Sequence, residues 1–196
     1  RRLQASKMRT ALVQAAQMSW STPMKDPRTR FVKRDEAGFS NDLSESQKQA
    51  AQLEPQLEQL VQLLLLGEVD RESEKSQRWQ AGYDLALGRV LATKVRTETY
   101  NAMLAVAKRG LKLDDPKSNT FTLIPADSVT VGSQYKKNAE KAKALLEGVI
   151  KDHEGTPWAY LAKKELSTPI GWEWKESYTD LSPPRTGAGN GGNPPP

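Results

Sequence analysis

The chain's only histidine, His153, sits between Asp152 and Glu154, and cysteine is absent. Three such neighbours offer imidazole and carboxylate donors to a hard or borderline cation, but no thiolate can help them. An Asp-His-Glu-Gly stretch between two apolar segments reads more simply as a solvated turn. Serine nucleophiles need a histidine base, which here means His153 alone, and no G-x-S-x-G or comparable element surrounds any serine. Paired carboxylates occur at Asp114 with Asp115 and at Glu173 with Glu176. Adjacent acids before a proline are turn formers, so they do not define a hydrolase. The glycines near the C-terminus lie neither after a strand nor before a helix, so no phosphate-cradling loop is present. No catalytic, cofactor-binding or metal-ligating residue is therefore assigned, and the chain reads as non-enzymatic.

Binding chemistry is better represented. Residues 1–34 carry nine basic side chains against one acid, Asp26, whereas the remainder carries 20 basic and 23 acidic residues. The net charge of +5 thus belongs to an N-terminal arm. Its cations include Arg1, Arg2, Lys7, Arg9, Arg28, Arg30, Lys33 and Arg34, with Trp20, Phe31 and Phe39 interleaved. That pattern resembles an electrostatic footprint with stacking groups, as nucleic-acid binding requires. A membrane surface or an acidic neighbouring domain accounts for it equally well. The second candidate is Trp172 with Trp174, which point to one side if their segment is extended. They then either clamp the C-terminal region onto the helices or present a sticky patch.

These residues must be held by a mainly α-helical scaffold. Residues 3–19 place Met8, Leu12, Ala15 and Ala16 at helical spacing. Residues 24–41 lapse into a charged, proline-interrupted segment read as loop or extended linker. Asp42 or Ser44 can cap the next helix, in which Leu53, Leu57, Leu60 and Leu64 form a stripe. Pro55 means that this helix either starts near Glu54 or kinks there. A stripe of Trp79, Tyr83, Ala86 and Val90 continues to Gly110, too long for an ordinary globular helix, so it spans the molecule or bends near 93–99. Residues 120–125 read as a short β-type or extended run, and since a lone strand cannot satisfy its edges it is either a packed loop or a small ribbon paired with 171–175.

The clearest element is a helical hairpin at 138–166 of tetratricopeptide-like character. Ala139, Ala142, Leu145, Leu146, Val149 and Ile150 make one face, and Thr156 with Pro157 caps and opens a second helix bearing Trp158, Leu161, Ala162 and Leu166. A single such pair cannot bury its own face, so it must pack on the long helix. The whole reads as an irregular helical bundle divided into a basic N-terminal helix and linker (1–41), a helical domain (42–181) and a Pro/Gly-rich flexible tail (182–196). Trp79, Tyr83 and Trp158 read as core.

No stretch approaches the roughly 18 apolar residues of a membrane span. The absence of cysteine fits both a reducing cytosol and an envelope space, so compartment stays open. The chain starts Arg1-Arg2 rather than with Met, which reads as processing or as a piece of something longer.

Residues 139–166, A-E-K-A-K-A-L-L-E-G-V-I-K-D-H-E-G-T-P-W-A-Y-L-A-K-K-E-L, with the following P-I-G-W-E-W, resemble the end of planctomycete-type bacterial proteins carrying a von Willebrand factor A domain. The run R-W-Q-A-G-Y-D-L-A-L-G-R-V-L-A-T-K-V-R-T-E-T-Y-N at 78–101 looks like the same family. The resemblance implies a C-terminal helical accessory region outside the cytoplasm. It supplies no catalytic residues. The expected partner class is protein, with nucleic acid or an anionic surface as the alternative through the basic arm.

Overall fold

The computed structural model describes residues 6–19, 26–111 and 114–182. Arg1, Arg2, Trp20 and the Pro/Gly-rich tail from 183 onward lie outside them. Within the described residues the fold is mainly helical with a small antiparallel sheet. Its elements in chain order are α1 (Lys7–Ser19), β1 (Arg30–Val32), α2 (Glu36–Ala51), α3 (Glu54–Leu65), α4 (Gln77–Lys108), β2 (Thr120–Ala126), α5 (Ser133–Asp152), α6 (Pro157–Leu166) and β3 (Gly171–Ser177).

The long stripe forms one uninterrupted helix. At 1.5 Å per residue α4 is about 48 Å long and spans the molecule without a break. Through the β-branched stretch the helix continues, with Thr97 Oγ1 and Thr99 Oγ1 satisfied on the carbonyls of Thr93 and Val95, one turn earlier (3.0 and 2.6 Å). Pro55 falls in the first turn of α3, where its missing N–H costs nothing, and Leu53 N donates to Ala50 O to close the turn between α2 and α3.

Residues 26–41, the described part of the segment read as loop or linker, differ from that reading. The helix begins at Glu36, and its cap is Asp35, whose Oδ1 accepts from Gly38 N at 2.7 Å, rather than Asp42 or Ser44. Phe39 and Leu43, four residues apart, carry the apolar stripe upstream and are both buried. Just before them, β1 pairs antiparallel with β2, placing Phe31 opposite Phe121.

Two larger core regions lie along α4, and a smaller one joins its Leu85 to Leu146, Val149 and Ala162 of the helical hairpin. Around its first half, Met8, Leu60, Leu64, Tyr83, Leu87, Leu91, Val95, Ala139, Ala142 and Ile170 pack together. The second half gathers Phe31, Phe39, Leu43, Tyr100, Leu104, Phe121 and Leu123. Each core tyrosine satisfies its hydroxyl, Tyr83 on Leu64 O and Tyr100 on Arg28 O, both at 2.6 Å. Burial pushes both hydroxyls above the usual phenol range.

The α5–α6 hairpin packs on α4 as its lone apolar face requires. Thr156 Oγ1 accepts from Ala159 N, and Pro157 opens α6. Arg96 of α4 then fastens the end of α6, donating to Glu165 and to the carbonyls of Thr168 and Pro169. β3 follows and pairs antiparallel with β2, giving the strand order β1-β2-β3. Gly171 starts β3 where a Cβ would stand 2.1 Å from Ser128 O, so no larger residue allows the chain between β2 and α5 to pass this closely. No helix among the described residues is long and apolar enough to cross a membrane.

Candidate interaction site

The basic residues that are contiguous in sequence are divided in space. Arg9, on α1, reaches the N-terminal end of α4. Its Nε and Nη2 donate to the two carboxylate oxygens of Glu74 at 2.6 and 2.7 Å, and its guanidinium lies 5.2 Å from the Trp79 ring centroid. That bond, with a further one from Ser76 N, holds the Glu74 carboxyl down to about 2. Arg28 sits at the other half of α4, bonded to Asp42 at 2.7 Å and 5.0 Å from the Phe31 centroid. Its guanidinium keeps the Asp42 carboxyl below the usual carboxylate range. Arg30 donates to Thr179 Oγ1 at 2.9 Å, and Lys33 pairs with Glu36 three residues on. Lys7 and Arg34 are exposed, and their side chains make no hydrogen bond or ion pair with other described residues.

Phe31 and Phe39 are not stacking platforms. Phe31 is 0 % exposed and meets Trp174 edge-on, while Phe39 packs on Phe121 with centroids 5.4 Å apart. Their aromatic partners lie some 80 to 140 residues further along the chain, beyond the reach of any local pattern.

Trp172 and Trp174 do share one side of an extended strand, and that side faces α4. Their indole N–H groups donate to Arg96 O at 2.9 Å and Met103 O at 3.3 Å, and Trp172 meets Tyr100 edge-on at 5.8 Å. Of the two arrangements open in the sequence, the structure adopts the clamp.

One feature brings a basic-segment residue together with groups that the sequence reading passed over. A cleft of about 370 Å³ opens between the start of α2, the end of α4 and β2. Phe39, Leu111 and Phe121 contribute its apolar lining, and Lys33, Glu36, Lys108 and Arg109 its charged one. Lys108 Nζ lies 3.4 Å from Gln47 Oε1, and the exposed Arg109 guanidinium has no partner among the described residues. Gly110, at φ +112°, ends α4 beside it. In the sequence Lys108 and Arg109 directly precede Gly110, and only Gly110 carries a local signal, the end of the long helix. Chemically the cleft suits an anionic group carried on a small apolar body.

His153, Asp115 and Glu176 have structural roles. His153 caps α5 and is buried, its carbonyl accepting from Thr156 Oγ1 at 2.5 Å. Asp115 Oδ1 accepts from Lys117 N within its own turn, and Glu176 Oε1 accepts from Asp115 N. No group of three or more His, Asp or Glu residues able to hold a metal occurs among the described residues. Tyr83 is core with Trp79 partly buried against its cluster, and Trp158 is partly buried against the cluster of Leu85, Leu146, Val149 and Ala162.

Fold and cleft together define a mainly helical protein with a three-stranded sheet and a basic, aromatic-lined recess. Compared with known protein families, curated proteins and solved structures, the chain matches none.

Proposed function

We propose that this chain is a non-enzymatic helical scaffold module that binds a protein partner, docking an acidic peptide segment in the cleft beside Lys33, Lys108 and Arg109. The observation that carries the reading is the cleft itself, where the neighbouring Lys108 and Arg109 at the end of α4 stand beside aromatic walls, with the Lys33–Glu36 pair lining the same recess. Acidic side chains supply the complementary charge, and an apolar neighbour fills the recess. The resemblance to helical accessory regions of von Willebrand factor A domain proteins agrees with a module inside a larger protein. A nucleic-acid partner is less well supported, because Arg9, Arg28 and Lys33 are each matched by an acid and stand at different ends of α4. A phosphate backbone needs a continuous row of free cations.

Titration of isotope-labelled protein with a Glu- and Phe-containing peptide, and separately with a single-stranded oligonucleotide, tests the proposal at 50 and 200 mM salt. The peptide is expected to shift resonances around Phe39, Lys108 and Arg109, and the double reversal K108E/R109E to weaken it about tenfold. Tighter oligonucleotide binding with a steep salt dependence would replace this reading with the anionic-polymer one. Failure of the peptide to bind would end it.

A further inference from the structure

β3 leaves one edge of the sheet unpaired. The bonds Leu123 N to Thr29 O and Lys33 N to Asn119 O turn the odd-numbered residues of β2 toward β1. Alternation then turns its even-numbered residues toward β3, where Thr122 faces Lys175 and Ile124 faces Glu173. The odd-numbered residues of β3 therefore bond inward. The backbone N–H and C=O groups of Trp172, Trp174 and Glu176 point outward, and none has a partner among the described residues. This edge is seven residues long and contains no proline or glycine after Gly171. Its tryptophan side chains lie down on α4, so the groups beside the edge on the solvent face are Glu173 and Lys175.

We propose that two copies of the chain associate through this edge, β3 against β3, in antiparallel register about Trp174. The strand is self-complementary in that register. Glu173 stands opposite Lys175 of the second copy, and Lys175 opposite its Glu173, on the solvent face where cross-strand charge pairs act. A two-fold axis through residue 173 would oppose Glu173 to itself, and an axis through residue 175 would oppose Lys175 to itself. Both place like charges face to face. The outward backbone groups select the same register. Trp174 exchanges hydrogen bonds with Trp174, and Trp172 with Glu176, so all three outward residues fall at hydrogen-bonded positions. The pairing is isologous and closes after two copies, giving one continuous sheet with β1 at each end. It also removes the long exposed edge that otherwise invites uncontrolled pairing.

Sedimentation equilibrium over a concentration series tests this, with the charge reversals as the discriminating arm. The unaltered chain is expected to dimerise reversibly. E173K and K175E each convert two attractive pairs into two repulsive ones and should raise the dimer dissociation constant about tenfold. An equimolar mixture of E173K and K175E should dimerise again, since each then offers the charges the other needs. The double swap E173K/K175E should recover self-association. Both side chains are exposed, and unchanged circular dichroism and melting temperature confirm that each variant is folded. A chain that stays monomeric to millimolar concentration, or a dimer indifferent to both reversals, overturns the proposal.

Discussion

Arg9 applies one edge of its guanidinium, Nε and Nη2, to both oxygens of Glu74 while its plane rests near Trp79, so one side chain ties α1 to the segment that leads into α4. The Glu74 carboxyl, ordinarily near 4.5, titrates at about 2 in the folded chain. A depressed carboxyl stabilises the fold fully above its ordinary value and loses that contribution as pH falls toward the folded one. Urea denaturation of the parent chain and of E74Q should therefore differ most at pH 6 to 7 and converge as the pH approaches 2. A difference that grows on acidification would contradict the pairing. Arg9 and Glu74 are 65 residues apart, which is why a count by segment scored Arg9 as surplus charge. The sum over residues 1–34 was right, but it could not show which cations already had acids facing them across the fold.

At the level of elements, periodicity revealed what depends on neighbours three and four residues away. It located α3, α4, α5 and α6, and Thr156 and Pro157 marked their turn because capping is a local interaction. Elements whose cause lies far away were less legible. β1 has three residues, and its pairing with β2 spans about 90 residues of chain, so nothing adjacent announces it. The start of α2 was hidden because Lys33, Arg34, Asp35 and Glu36 gave its approach the look of a linker. The cleft was illegible for the same reason, being made where three separate segments meet. Gly67 lets α1 approach closely. A Cβ there would lie 2.7 Å from Met8 Cα and 3.1 Å from Tyr83 Cε2, and the Met8 backbone cannot swing aside as a side chain could. Gly67→Ala is expected to cost about 2 kcal/mol and to push α1 off α3 and α4. Hydrogen exchange should then show faster amide exchange at 8–15 while α4 and α5 keep their protection. Uniform acceleration across the molecule would show instead that α1 is inseparable from the rest.

Across the whole molecule, α4 is common to both core regions and makes them one unit. The first half is closed by α1, α3 and α5, the second by α2 and the sheet. Trp172 and Trp174 cover the second half alone, so removing them should uncouple the two. For W172A/W174A, helicity and the fluorescence of Trp79 and Trp158 in the first half are expected to report separate urea transitions, with helicity starting to fall first. Coincident transitions would mean that α4 transmits the loss along its full length. The sheet has a further consequence, because its strands come from residues 30–32, 120–126 and 171–177. At roughly 5 to 20 residues per second, a ribosome needs on the order of ten seconds between making the first strand and the last. Throughout that interval Phe31 has no tryptophan to cover it, and the outer side of β2 stands open. The nascent chain therefore passes through a half-built sheet, a vulnerability set by strand order, and the final strand ends it by arriving on two surfaces at once.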